Sequence, residues 1–311
     1  MSFSFDVKED ILKLNMDSSS HLTELESWLR LAGEIHLNPI RLVFSSSNLR
    51  IIRYYISILK QFYSNTSFEI TSKQQKKLNQ KTIYSCSIEN TAETIIEDLS
   101  LLEPVSIHKD EILFTENLTR AYLRGAFLAK GSVNDPITSN YHLEITVEKE
   151  VEALFIQRLM NVFGLNARIA KRRNHLIIYI KEKDRIVEFL RRIGANVTMN
   201  EFENVIIRRE LSANVNRALN TDIANQQKTN RSSLEQMEYI SYLEYNYPLE
   251  RLDSKLLMVM KVRKENQEAS LNELVDIIND RFNENITKSG LNHRFRKIKE
   301  IALDYKIRKE E

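Results

Sequence analysis

The sequence predicts an α+β amino-terminal region made of two copies of one motif, followed by an all-α carboxy-terminal region. Two observations carry that prediction. The order helix, strands, helix, strand, strand, helix occurs twice before residue 198, and the apolar-periodic stretches after about residue 232 all have helical spacing. At 311 residues the chain is also long for one core, and the scaling of surface with size favours two domains.

The first copy, about residues 16–103, opens with the helical run HLTELESWLRLAGEIHL, where Leu22, Leu25, Leu29 and Ala32 share one face. IRLVFSS follows as a strand. NLRIIRYYISILKQFYS is a second helix with an apolar stripe of Ile51, Tyr54, Tyr55, Ile58 and Phe62. SFEITSK and KTIYSCSI read as strands, and ETIIEDLSLL as the closing helix. Cys86, in the alternating KTIYSCSI, reads as a buried strand residue.

The second copy, about 114–196, repeats this order with NLTRAYLRGAFLAKG, YHLEITVE and EKEVEALFIQRLMNVFG. ARIAKRR and HLIIYIK form a hairpin pair with Arg173 and Asn174 near the turn, before the helix KDRIVEFLRRIG. Each copy is thus of αββαββα type, and residues 1–198 form one pseudo-symmetric domain. Residues 199–231 read as a connecting helix and linker, because Asn214, Asn216, Asn220, Asn225 and Asn230 compete with a helical backbone and disfavour one long, buried, continuous helix.

Residues 232–311 are expected to be all helical: SLEQMEYISYLEYN, DSKLLMVMKVRKEN, ASLNELVDIINDRF and TKSGLNHRFRKIKEIALDYK. Ser270 with Glu273 has capping-box spacing, and Leu271, Leu274, Ile277 and Ile278 give that helix its apolar face. Asn283 to Ile286 makes a turn, Thr287 caps the last helix, and Leu291, Phe295 and Ile298 point inward. This is helix-turn-helix patterning. It leaves Lys288, Ser289, Asn292, His293 and Arg296 outward as candidate base readers, since Asn and Arg make bidentate contacts to adenine and guanine edges. Arg294, Lys297 and Lys299 are candidate phosphate contacts. A solvated face on an ordinary bundle is the competing reading, and His293 has no second histidine or cysteine nearby to complete a metal site.

Composition excludes several classes. Charged residues at 28% and hydrophobic ones at 42% fit a globular protein instead of a disordered one. The formal net charge is only +2, with 45 basic against 43 acidic residues, so any nucleic-acid argument must rest on where charge lies. A single cysteine rules out an intramolecular disulfide and multi-cysteine metal sites. The MSFSFDVKEDILKLNMDSSS start has no cationic stretch before an apolar run, and no segment reaches the roughly 20 apolar residues of a membrane span. A cytoplasmic, nucleoid-associated location is expected, with no membrane partner and no cofactor.

LRGAFLAKG, residues 123–131, has the apolar-and-small build of a LAGLIDADG helix, and LESWLRLAG is its more diverged counterpart, with Ser27 where the second copy has Gly125. In active LAGLIDADG nucleases the last acid of each motif holds a divalent metal, which needs oxygen ligands. Here those positions are Ala32 and Lys130. Alanine offers no ligand and an ammonium repels the cation. Glu34 lies close by but has no acidic partner in the second motif, where the nearest acid is Asp135. No catalytic residue and no bound metal are therefore expected. Gly33, Gly125 and Gly131 keep structural roles, and Lys130 either approaches a phosphate or merely sits at a helix end.

The MSFS start, RAYLRGAFLAKGSVNDP with YHLEI, LNTDIANQQKT, and SLNELVDIIN through ITKSGLNHRFRKIKEIA together resemble the WhiA family of bacterial regulators first associated with sporulation. The resemblance implies a degenerate, pseudo-symmetric LAGLIDADG homing-endonuclease-like domain followed by a helix-turn-helix domain. It implies a DNA-binding transcriptional regulator that is not an enzyme and has double-stranded DNA as its partner, with a second transcription factor or a division protein as a further one. The richness in Asn, Lys and Ile points to a low-GC genome, so cell division or chromosome segregation is the expected setting. On such a scaffold Lys130 and the hairpin residues Lys171, Arg172 and Arg173 are further phosphate candidates, although a plain solvated hairpin explains the cluster equally well. The alternative is a nucleoid-associated or division-linked interaction factor whose DNA binding is nonspecific.

Overall fold

The computed structural model describes residues 2–14, 16–74, 82–138 and 140–310. Met1 of the MSFS start and Lys81 at the head of KTIYSCSI lie outside the described residues. The chain divides into two compact units, Met1–Arg209 and Glu210–Glu311.

The first unit begins with a helix not anticipated from the sequence, α1 (Phe3–Ile11). Its apolar residues Phe3, Val7 and Ile11 recur every four positions and are all buried, but nine residues are too few for periodicity alone to identify. Next come α2 (Ser18–Ala32), β1 (Gly33–Leu37), β2 (Ile40–Ser46), α3 (Leu49–Phe62), β3 (Glu69–Gln74), β4 (Thr82–Ile88) and α4 (Ala92–Asp98). A short α5 (Lys109–Phe114) leads into the second copy: α6 (Glu116–Lys130), β5 (Gly131–Val133), β6 (Leu143–Val147), α7 (Glu150–Val162), β7 (Arg168–Arg172), β8 (His175–Ile180) and α8 (Lys183–Arg192). The two antiparallel sheets have the same topology, β1-β2-β4-β3 and β5-β6-β8-β7.

One expected helix is shorter than its sequence suggested. The periodicity of HLTELESWLRLAGEIHL predicts helix throughout, but its last five residues form β1, paired in register with Ile40–Phe44. The alternation of GEIHL was masked by the helix before it, and Gly33 marks the change of period. The hairpin of β7 and β8 turns at Arg173 and Asn174 as expected, with Arg173 in the left-handed region at φ 55°. Cys86 is buried on β4, and burial pushes its thiol up to about 12.

The two copies meet along α2 and α6. Gly125 lies so near the α2 backbone that a Cβ there would run into the Glu24 carbonyl oxygen. At the equivalent contact Ser27, also buried, donates its hydroxyl to the Tyr122 carbonyl at 2.7 Å. One copy thus solves the close approach with a missing side chain, the other with a hydrogen bond. Trp28 stacks on Tyr55 with ring centroids 3.8 Å apart and meets Phe44 edge-on, filling the first half of the core.

The largest departure lies after the second copy. Residues 199–231, expected as a connecting helix and linker, belong to one continuous α9 (Asn196–Asn246), 51 residues long, which also contains the separately expected SLEQMEYISYLEYN. The asparagines are all exposed, so each costs only a few tenths of a kcal/mol in propensity. No Gly or Pro interrupts the run: Gly194, at φ 82°, precedes it and Pro248 follows. Asp10 caps its start, accepting from the Val197 and Thr198 amides at 2.9 and 3.1 Å.

In the second unit the end of α9 packs with α10 (Ser254–Glu265), α11 (Leu271–Phe282) and α12 (Lys288–Glu310) around Ile240, Leu256, Val259, Leu274, Ile278 and Leu291. Arg263 is buried within it. Its Nε donates to Gln236 at 2.9 Å and its Nη1 to the Ala269 carbonyl at 2.7 Å, and the guanidinium lies over the Phe295 ring. Burial, with no carboxylate partner among the described residues, pushes this guanidinium down to about 10.

Candidate nucleic-acid interface

The helix-turn-helix is fixed by side chains that act as backbone. Ser270 and Glu273 form a reciprocal capping box at the start of α11. Asn283 ends that helix in the left-handed conformation, where asparagine is tolerated. Asn279 then clamps the turn from both sides, accepting from the Ile286 amide at 2.8 Å and donating to its carbonyl at 3.1 Å. Thr287 accepts from the Gly290 amide at 3.2 Å and starts α12.

With Leu291, Phe295 and Ile298 buried, the opposite side of α12 is set by geometry. Lys288, Ser289, His293, Arg296 and Lys297 are exposed, and Asn292 is half-buried on the same side. From Thr287 to Lys299 there are five Lys or Arg and no Asp or Glu. Two of these cations have partners within the unit. Arg294 is mostly buried and lies 3.4 Å from Glu284, and Lys299 pairs with Glu235 above the Tyr239 ring. Their charge reaches the surface, but each must leave a partner to grip a phosphate.

In the amino-terminal unit, α2 ends at Ala32 and α6 at Lys130, and both residues line one cavity of about 300 Å³. The helix ends thus converge as the paired motifs imply. Lys130 does not stand alone there. Lys8 donates to the Leu128 carbonyl at 3.1 Å, and its ammonium is lowered to about 8, first by burial and then by the charge of Lys130. Two ammonium groups near one helix end disfavour a bound cation.

The cavity also contains acids that the sequence did not single out. Glu148 and Glu152 line it with Glu34. Glu152, however, is buried and accepts a hydrogen bond from the Tyr122 hydroxyl, and burial raises its carboxyl above the usual range. Among the described residues no group of three or more His, Cys, Asp or Glu is placed to hold a metal ion. Sequence reading also missed the buried Glu24–Arg124 ion pair at 2.6 Å between the motif helices. Its signal is a Glu within the apolar side of α2 facing an Arg within that of α6.

On the sheet faces turned away from the helices, charge is sparse among the described residues. Registers place Glu34, Arg41, Glu69 and Lys73 outward on the first sheet, two of each sign, and Arg168 and Arg172 against Glu144 on the second. Arg172 lies 3.6 Å from Glu144, which also pairs with His142 at 2.8 Å. The basic run 171–173 is divided by the strand: Lys171 faces the opposite side from Arg172, and Arg173 occupies the turn.

No helix among the described residues is long and apolar enough to cross a membrane. Three family models match in sequence: the WhiA N-terminal LAGLIDADG-like domain over residues 18–102, the WhiA LAGLIDADG-like domain over 119–212, and the WhiA C-terminal HTH domain over 215–302. The "Probable cell division protein WhiA" of Staphylococcus haemolyticus is 36% identical, with 97% of this chain and 96% of that protein covered. That of Limosilactobacillus reuteri is 37% identical, with 97% of each covered. The full-length WhiA structure from Thermatoga maritima aligns with a TM-score of 0.62 at 27% identity, over 98% of this chain and 99% of the other. With the paired motif helices, their repeated sheets and the helix-turn-helix all matched in order, the chain belongs to the WhiA family.

Proposed function

We propose that this protein is a transcriptional regulator that reads duplex DNA through α12, serves cell division or chromosome segregation, and does not cut DNA. The observation that carries this reading is the outward side of α12, where Lys288, Asn292 and Arg296 follow one another at four-residue spacing. Insertion of the first turns of α12 into the major groove gives Asn292 and Arg296 bidentate reach to base edges, while Lys288 and Lys297 meet phosphates. No acid occurs from Thr287 to Lys299, so this stretch of α12 adds no like-charge repulsion to the approach. The cellular setting rests on the names of the relatives.

The absence of cleavage rests on Ala32 and Lys130. Neither offers an oxygen ligand, and Lys8 adds a second ammonium beside Lys130. Incubation of supercoiled and target duplex DNA with magnesium or manganese is expected to leave both intact. Cleavage that disappears in Glu34→Gln would reinstate an enzyme.

Titration of duplexes of different sequence at one salt concentration tests the regulator reading, with a preferred site expected to bind at least 10³-fold tighter than random sequence. Equal affinity for all sequences supports the alternative, a division-linked interaction factor with nonspecific DNA binding. The outward sheet faces, sparsely charged among the described residues, suit protein contact better than phosphate contact and favour that second reading.

A further inference from the structure

We propose that a cleft in the amino-terminal unit, separate from the motif-helix ends and from α12, binds a pyrophosphate-bearing small molecule of nucleotide size through four converging arginines. The cleft has a volume of about 940 Å³ and is walled by the beginnings of α2 and α6 and by the end of α8. Arg120, Arg124, Arg191 and Arg192 line it, with Ser20 and Asn117 as further donors. Its size falls in the range of small-molecule sites.

Within the lining itself, four arginines face two acids, Glu188 and Asp17. Arg120 pairs with Glu116, Glu116 with Arg192 at 2.7 Å, Arg192 with Glu188 at 2.6 Å, and Glu188 with Arg191 at 2.7 Å. Arg191 also reaches Glu203 at 3.9 Å, so three guanidinium groups share three carboxylates within one chain of contacts, and each retains N–H donors beyond those it uses. The Arg120 Nε is buried with no hydrogen-bond acceptor. Arg124, its side chain only 8% exposed, meets a single carboxylate, Glu24. The one other acid of the lining, Asp17, is committed to capping α2: it accepts from Ser19 and from the amide and hydroxyl of Ser20, which hold its carboxyl down to about 2.

Guanidinium forks that are linked side by side match the oxygens of adjacent phosphates, where two bidentate contacts fix both. A duplex is the less suitable occupant, because Arg124, only 8% exposed, lies recessed where a small molecule can enter and a duplex backbone cannot follow. The size leaves room for a nucleoside beyond the phosphates.

Isothermal titration of the full chain at low salt tests the assignment, with inorganic pyrophosphate and adenosine diphosphate as probes and adenosine as the control. Both phosphorylated probes are expected to bind saturably and adenosine not at all. Arg120→Gln combined with Arg191→Gln, two partly exposed positions, should weaken pyrophosphate binding at least tenfold while Arg172→Gln leaves it unchanged. If the glutamine pair lowers the melting temperature, the Arg120→Lys with Arg191→Lys pair decides, since it keeps charge but loses the fork and should weaken binding several-fold. No pyrophosphate binding in the millimolar range, or wild-type affinity in both double variants, overturns the proposal. So does loss of duplex affinity by the same factor as pyrophosphate affinity, which would make the cleft a DNA-phosphate contact.

Discussion

The outward sheet faces and the outward side of α12 both offer polar surface. On the sheets, the outward charges of the described residues nearly cancel and Arg172 is already engaged with Glu144. On α12, five cations occur within thirteen residues without one acid, and the cationic side is set by a buried Leu291–Phe295–Ile298 stripe. Architecture and contact chemistry are thus maintained by different residues. The close α2–α6 approach at Gly125 and Ser27 maintains the repeated fold, whereas the charge expected of a DNA surface is concentrated on α12.

The largest effect should come from packing. Gly125→Val places side-chain atoms against the Glu24 backbone and is expected to destabilise the amino-terminal unit by about 3 kcal/mol, measured by chemical denaturation. A neutral result would mean that the motif helices do not need their close contact. On the contact side, Asn292→Ala or Arg296→Ala should cost about 1 to 3 kcal/mol at the preferred site and relax base preference, with melting temperature unchanged. Retained preference would place base reading elsewhere.

A pH effect of on the order of 2 kcal/mol is expected at Lys8. Its folded value of about 8 lies below the ordinary 10.5, so between those values the unfolded chain binds more protons and stability rises with pH. Lys8→Met should remove that rise, and identical pH profiles for the two proteins would remove the buried ammonium from the account of the α6 end. Lys297→Ala should weaken every duplex alike and lower the salt slope by about one. The smallest effect belongs to the sheets and the motif end: Arg172→Ala and Lys130→Ala should each change duplex affinity by less than about 0.5 kcal/mol, as for an exposed charge outside the interface. A tenfold loss from either would erase the contrast and make the repeat a DNA surface.

The repeat, the hairpin at Arg173, the capping box and the inward stripe of α12 were legible because each depends on periodicity or on a short-range signal. What was not legible depends on partners far away in sequence or on absent breakers. β1 was hidden because GEIHL continues an apolar run, and α1 because its three core contacts are distant in the chain. The unbroken α9 follows from the lack of Gly and Pro between Gly194 and Pro248, a signal masked in the sequence by asparagines that prove to be exposed. Of the candidate DNA contacts, sequence placed Lys288, Ser289, His293, Arg296 and Lys297 on an exposed side. The partners Glu284 and Glu235, which engage Arg294 and Lys299, were invisible because one sits in the preceding turn and the other on α9. The arginine cleft draws on α6 and α8, about 70 residues apart in the chain, and no local pattern announces it.

The stacking of Trp28 on Tyr55 has a spectroscopic consequence. Trp28 is the chain's one tryptophan and is 1% exposed, so its emission is a built-in reporter of the amino-terminal unit. The carboxy-terminal unit, which carries α12, is dark at tryptophan-selective excitation. Following that emission alongside far-ultraviolet circular dichroism during denaturation thus gives a label-free way to watch one unit melt against the whole, and non-coincident transitions would identify two separate cooperative units.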